Sequence, residues 1–220
     1  MRKDSIHFQI KFITLLGRDM QKDYWERFYG KEKLPEIASS FAKFVSSTLN
    51  NNKLVLADVG CGNGRDSKCF EDLGYNVLSV DQVQPPVFYG SNFIQANAAT
   101  ELPDADVYYL RFFVHALKEE NLDQLIHTVS KKTFKHKLCI ETRSTTGYGG
   151  AEKCATNFRS SIGEEHFRML YSKEYLVSKL KKDYDVIYVA ESDEFSPFKG
   201  EKPSLIRIIA DARSGSSEDK

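Results

Sequence analysis

The sequence predicts an α/β fold: a doubly wound, mostly parallel sheet of seven strands, preceded by an N-terminal helical arm. Three observations carry this prediction. Short apolar runs of strand length recur seven times between residues 53 and 209, helical periodicity separates several of them, and the first run passes directly into a glycine-rich turn. Strands that alternate with helical patterns read as a parallel sheet covered on both faces by its crossover helices.

Taken in order, Lys53-Leu54-Val55-Leu56-Ala57-Asp58-Val59 reads as a buried strand, and Arg65 to Leu73 reads as a helix closed by Gly74. Asn76-Val77-Leu78-Ser79-Val80 is the second strand and ends at Asp81. Five more runs follow: Phe93-Ile94-Gln95, Val107 to Leu110, Lys137 to Ile140, Val186 to Val189 and Leu205 to Ile209. Between the fourth and fifth, the stretch Lys118 to Phe134 carries Leu122, Leu125, Ile126 and Val129 at helical spacing. The first fifty residues stand apart. They are aromatic and charged, contain Trp25, Phe28, Tyr29 and Phe41, and read as helices packed onto or over the sheet. The expected organisation is therefore a helical arm over residues 1–50, a sheet domain over 51–213 and a polar tail over 214–220 with nothing to bury.

Composition limits the functions that fit. A chain of 220 residues with 41% hydrophobic and 12% aromatic residues can bury a full core as one domain with an arm. Basic and acidic residues balance to a formal net charge of zero, so the totals do not suggest a basic face tracking a nucleic-acid backbone. No apolar run approaches the roughly 18 residues needed to span a bilayer, and the first twenty residues are interrupted too often for a signal-peptide core. Cys61, Cys69, Cys139 and Cys154 form no CxxC pair, which fits free thiols in a reducing compartment and gives no metal site. These features point to a cytoplasmic protein without a membrane or nucleic-acid partner, monomeric or homodimeric.

The glycine-rich turn carries the chemistry. Between a first strand and a first helix, glycines let the backbone approach a ligand and point helix N-terminal amides at it. In Gly60-Cys61-Gly62-Asn63-Gly64 the place of the third glycine of a dinucleotide fingerprint is taken by Arg65, which disfavours a nicotinamide cofactor. Asp58, two residues ahead of Gly60, suits an ammonium group better than a pyrophosphate, and Asp81 at the end of the second strand is placed to accept the hydroxyls of a ribose.

This pattern, Asp58-Val59-Gly60-Cys61-Gly62-Asn63-Gly64 followed by a strand ending in Val80-Asp81, resembles the class I S-adenosylmethionine-dependent methyltransferases of the small-molecule type, over roughly residues 53 to 211. The resemblance implies a Rossmann-like methyltransferase fold, an enzyme, and S-adenosyl-L-methionine as cofactor. Within it, Asp58, Gly60, Gly62 and Gly64 line the methionine part, with Cys61, Asn63 and Arg65 in the same turn. Asp81 holds the ribose and Gln82 lies by the adenine. Asn97-Ala98 follows the third strand, where many relatives carry an acid for the adenine amino group, and Asn97 offers its amide oxygen instead. Tyr24 and Tyr29 of the arm are candidates to hydrogen-bond the cofactor or acceptor as the arm shields the site from water.

The acceptor side is read from the loop after the fourth strand and a later excursion. The loop holds Arg111, Phe112 and His115, with Arg111 and Phe112 expected beside the cofactor, and lacks the Asn/Asp-Pro-Pro-aromatic box of base-amine methylation. His115 is either a general base or a histidine that caps the following helix. In the excursion, Arg143, Arg159 and Arg168 with His166 form either a cationic cradle for a carboxylate or phosphate, or solvated charge paired with Glu141, Glu164 and Glu165. Residues 145–150 read as a lid or a connector. The expected activity is methyl transfer, as O-methylation, to a polar or anionic small molecule such as a sugar, phosphate or phosphoramidate of surface-polysaccharide metabolism, with His115, His166, Arg143 and Arg168 as catalytic candidates. A nucleotide-binding oxidoreductase and a non-catalytic cofactor-binding module are the alternatives.

Overall fold

The computed structural model describes residues 20–196 and 202–213, so the expected tail over 214–220 and the start of the arm lie outside the described residues. In chain order the elements are α1 (Met20–Lys31), α2 (Ser40–Thr48), β1 (Val55–Val59), α3 (Arg65–Asp72), β2 (Asn76–Asp81), β3 (Phe93–Gln95), β4 (Val107–Arg111), a 3₁₀ turn (Val114–Ala116), α4 (Glu119–Ser130), β5 (Lys137–Arg143), β6 (Lys153–Arg159), β7 (Glu165–Tyr171), α5 (Lys173–Leu180), β8 (Tyr184–Ser192) and β9 (Leu205–Ala212). Seven strands form one sheet in the order β3-β2-β1-β4-β5-β9-β8. β9 runs antiparallel to both its neighbours, and the pairings from β3 to β5 are parallel. All seven strands expected from the apolar runs are present.

Period-two alternation sorts the strand residues into two cores. On β4, Val107 and Tyr109 point to the face that also holds Leu56, Val77 and Ile209, where Phe41, Ala42 and Val45 of α2 and Phe70 of α3 cover them. Tyr108 and Leu110 point to the other face with Ala57, Val80, Ile140 and Ile208, covered by Leu122, Leu125 and Val129 of α4 and by Leu176 and Leu180 of α5. The second helix of the arm is thus part of the sheet's own core, its Phe41, Ala42 and Val45 fully buried. It starts at Ser39, whose hydroxyl accepts the Ala42 N–H at 3.0 Å.

The excursion between β5 and β8 is more ordered than its sequence suggests. It holds an antiparallel hairpin, β6 with β7, in a separate two-stranded sheet, followed by α5 with Ser172 as its N-cap. Along β6 the residues alternate between exposed and half-buried, so it carries no apolar run to mark it.

The order reverses between β1 and β4, so the chain leaves β1, β2 and β4 at one edge of the sheet and opens a crevice there. The turn after β1 borders it with Gly60, Gly62 and Gly64 all at positive φ. Gly60 has a second constraint: a Cβ built on it lies 2.4 Å from Cδ2 and 3.1 Å from Cβ of Phe113, which cannot swing away freely. Gly60→Ala is therefore expected to cost on the order of 1–2 kcal/mol for the left-handed backbone and more for the clash. Gly147→Ala shares the positive φ but meets nothing within 4 Å, and is the control. Urea unfolding should show the larger loss for Gly60→Ala, and equal losses would refute the tight approach of Phe113.

Candidate active site

Two neighbouring cavities occupy the crevice. One, of about 330 Å³, is lined by Asp81, Gln82, Asn97 and Ala98. The other, of about 540 Å³, is lined by Asp58, Cys61, Gly62, Asn63, Arg65, Arg111, His115, Arg143 and Arg168. Trp25, Tyr29, Gly60 and Phe112 border both. Most residues singled out from the sequence therefore meet at one place, although they come from many different elements and loops. Four do not line either cavity. Gly64 packs against Phe88, Tyr24 and His166 stack on each other with centroids 4.7 Å apart, and Arg159 is exposed at the end of β6.

The smaller cavity is organised by Asp81. Its Oδ2 accepts the Gly62 N–H at 3.1 Å and the Tyr29 hydroxyl at 3.3 Å, and its Oδ1 accepts the Val83 N–H at 3.1 Å. Burial nonetheless raises its carboxyl above the usual range, outweighing these donors. Tyr29, rather than Tyr24, is the arm residue that reaches the site. Asn97 Oδ1 accepts the Ala99 N–H at 3.1 Å, so the oxygen expected to face the adenine amino group already caps its own turn. Gln82 is held by its carbonyl, which accepts from Gln95 Nε2 at 3.1 Å.

Asp58 lies on the floor of the larger cavity, 3% exposed. Its Oδ2 accepts from the Ser67 hydroxyl at 2.6 Å, which in turn accepts from Ser79 at 2.8 Å. Burial, then the nearby Asp66 charge, push its carboxyl up to about 7. Asp66 itself was not legible as a site residue. It accepts the Ser39 N–H and hydroxyl, both at 2.7 Å, and the Tyr109 hydroxyl at 2.8 Å, so it ties the start of α2 to β4 beneath the cavity.

The opposite wall is cationic. Glu141, fully buried, accepts from Arg111 Nε at 3.0 Å and from Arg207 Nε at 2.7 Å. Arg111 lies 4.1 Å over the ring of Phe112, which adopts φ +56° while its N–H bonds the Glu141 carbonyl at 2.8 Å. His115 is 1% exposed, and its Nδ1 accepts the Arg143 N–H at 3.2 Å. That bond assigns the imidazole proton to Nε2. Burial, then Arg168 and Arg143, hold the ring neutral, with its pKa far below the usual range. The same causes, burial then Arg168 and Arg143, lower His166 to about 3. Burial and Arg143 bring Arg168 down to about 9, although the Tyr24 and Tyr29 hydroxyls oppose this.

Helix α1 lies across the crevice. Trp25 and Tyr29 face the cavities, Tyr24 turns to His166, and the Arg168 guanidinium sits 5.4 Å over the Trp25 ring. At the rim, Arg27 Nε donates to Glu164 at 2.9 Å and Ser161 donates to Glu32 at 2.6 Å. These rim pairs are exposed, so the aromatic contacts hold the helix more than the charges do.

Among the described residues no His, Cys, Asp and Glu cluster could hold a metal ion, and no helix is long and apolar enough to cross a membrane. No protein-family model and no curated relative matches the sequence. Solved structures do. A 1,6-didemethyltoxoflavin-N1-methyltransferase from Burkholderia thailandensis, solved with 1,6-didemethyltoxoflavin and S-adenosylhomocysteine, aligns at TM-score 0.67 and 14% identity over 92% of this chain and 89% of its own. The chain has the class I methyltransferase fold. A Methanosarcina mazei S-adenosylmethionine-dependent methyltransferase aligns at 0.63 and 14% identity, over 76% of this chain and 96% of its own. The glycopeptide N-methyltransferase MtfA, solved with S-adenosylmethionine, aligns at 0.57 and 13% identity, over 78% and 94%. The methyltransferase fold puts the Asp58 to Gly64 turn and Asp81 at the switch point of its sheet, as the crevice here does.

The state of Asp58 has a consequence for stability. Its folded pKa of about 7 lies above the ordinary 3.8, so the native state keeps a proton that the unfolded chain releases. This group therefore makes stability fall as pH rises from about 4 to about 7, with no further change above. Asp58→Asn removes the penalty. Relative to wild type the variant should gain stability between pH 4 and pH 8, by on the order of 2–4 kcal/mol. Parallel urea midpoints for the two proteins across this range would show that Asp58 is an ordinary carboxylate.

Proposed function

We propose that the chain is an S-adenosylmethionine-dependent methyltransferase that transfers a methyl group to an oxygen of a small acceptor carrying an acid group. The observation that supports this best is the pair of adjacent cavities that share Trp25, Tyr29, Gly60 and Phe112, one organised by Asp81 and the other lined by Asp58, Gly60–Gly62 and four arginines. The residues present fit the cofactor. A Cβ at Gly62 would lie 3.4 Å from the Tyr29 hydroxyl, so the glycine leaves room for close approach. Asp58 is buried and accepts from a neutral serine hydroxyl, and an ammonium group would favour its ionised form. Asp81 has lone pairs left for a ribose.

When bound, the cofactor supplies a methyl group on a sulfonium, which leaves a neutral thioether once an acceptor lone pair takes it. The chain's own residues do the rest. Trp25, Tyr29 and Phe112 close over the junction of the cavities and exclude water, which strengthens each charge interaction inside. Orientation of the two reactants can supply up to about 7–11 kcal/mol of the barrier. The arginines hold the acid group of the acceptor, whose sugar, phosphate or phosphoramidate character falls within this class. His115 has its proton on Nε2 and a depressed pKa, so it supports a donor role better than the general base expected from the sequence. His166, away from the cavity wall, has no such role in this reading. An acceptor oxygen already ionised needs no base. The same reading includes a cytoplasmic protein, monomeric or homodimeric, acting on a small molecule and not on nucleic acid.

Asp81→Ala should weaken S-adenosylhomocysteine by more than about tenfold, because a buried diol loses its charged acceptor. Titration calorimetry giving unchanged affinity would remove the cofactor assignment. For chemistry, His115→Gln keeps a donor. Single-turnover transfer by this variant should stay within about tenfold of wild type, with the same pH profile from 5.5 to 9. A loss of about 10²-fold or more, with a wild-type profile that bends near an imidazole pKa, would restore His115 as the base.

A further inference from the structure

The walls of the larger cavity are unevenly charged. Four guanidinium groups, Arg65, Arg111, Arg143 and Arg168, line it against two carboxylates, Asp58 and Asp66. Arg111 bonds Glu141, and Arg65 donates to the Ile37 carbonyl at 3.3 Å and lies 3.9 Å from Asp66. Asp66 accepts from Ser39 and Tyr109 and lies 3.9 Å from Arg111 Nε, and Asp58 accepts from Ser67.

Arg168 is different. Its Nη1 is buried and has no hydrogen-bond partner among the described residues, and its guanidinium carbon lies 5.4 Å from the ring centroid of Trp25. A buried cationic N–H donor without an acceptor costs free energy that an oxyanion removes, and a planar guanidinium takes such an anion through two parallel hydrogen bonds. We infer that Arg168, with Arg143 beside it in the cavity wall, forms an oxyanion subsite that takes the phosphate or carboxylate of the acceptor and so selects it. Burial and the neighbouring Arg143 charge, which together lower Arg168 to about 9, are the unfavourable terms that a bound anion would relieve. The cation–π contact adds a link from this anion to α1: an oxyanion on Arg168 fixes the guanidinium against Trp25, on the helix that closes the crevice. The assignment of the anion to a methyl acceptor rests on the proposed transferase reading. The subsite itself does not.

The test uses the full chain and thermal unfolding at constant ionic strength, with inorganic phosphate and malonate as separate probes and sodium chloride as the balance. Wild type should show a saturable rise in Tm with at least one probe, and the preferred probe tells phosphate from carboxylate. Arg168→Gln should weaken that binding at least tenfold, and Arg168→Lys, which keeps the charge but not the fork, at least threefold. Calorimetry with S-adenosylhomocysteine on the same proteins separates the two readings. If wild type fails to bind S-adenosylhomocysteine while the probe still depends on Arg168, the transferase reading falls and the subsite stands. If neither probe saturates in wild type, or if both Arg168 variants bind it as wild type does, the subsite is refuted. Should Arg168→Gln fail to fold, Arg168→Lys and Arg143→Gln decide by the same fold-changes.

Discussion

Three carboxylates, Asp58, Asp66 and Asp81, are buried together where β1, β2 and α3 meet, and the rest of the site is arranged around that constraint. Burying a charge is unfavourable unless hydrogen bonds or opposite charges replace water, and each acid here is treated differently. Asp66 is satisfied by Ser39 and Tyr109, which anchors α2 and makes this acid structural. Asp81 takes backbone N–H groups from Gly62 and Val83, donors fixed by the fold. Asp58 receives one serine hydroxyl and sits near a second negative charge, so it is the acid left with the most to gain from a cation. A ligand that brings a positive charge to this wall relieves what the fold leaves unresolved.

The facing wall solves the converse problem. Glu141 sits between Arg111 and Arg207, so two cations share one buried anion, and the bond from Arg111 also fixes the loop on which Phe112 takes its left-handed backbone. Removing one partner of such a buried pair costs about 3–5 kcal/mol, because the other charge is left uncompensated. Arg207 also donates to the Ser40 hydroxyl at 2.7 Å and to the Phe195 carbonyl at 3.3 Å, joining β9, α2 and the segment after β8 at the cavity rim. With Glu141 already engaged by two guanidinium groups, the Arg168 Nη1 is left without a hydrogen-bond partner among the described residues.

How much of this was legible depends on how local each signal is. The seven strands are readable because each is an apolar run, and the turn is readable because Gly60 and Gly62 need a backbone that other residues resist. Asp58 and Asp81 follow from their places at strand ends. Asp66 could not be read, since its partners Ser39 and Tyr109 lie 27 and 43 residues away. The Glu141–Arg207 pair spans 66 residues and is equally silent. β6 lacks an apolar run because its residues alternate between exposed and half-buried, while β7 buries only its last two residues, Leu170 and Tyr171. Tyr24 and Tyr29 look alike in sequence, and a separation of five helical positions is enough to turn one to His166 and the other to Asp81.

That difference in facing bears on how the crevice opens. Trp25 and Tyr29, four residues apart, share one face of α1 and reach the junction of the cavities, while Tyr24 binds the helix to the hairpin through His166. The Tyr29 hydroxyl occupies part of Asp81 Oδ2, an oxygen that a ribose hydroxyl would also use. Admission of a ribose to Asp81 therefore means sharing or displacing that bond, whereas the Tyr24–His166 stack and the Arg27–Glu164 pair need not change. The helix is fixed firmly on its hairpin side and weakly on its acid side, which lets the Tyr29 end yield to a ligand while the Trp25 end stays against Arg168.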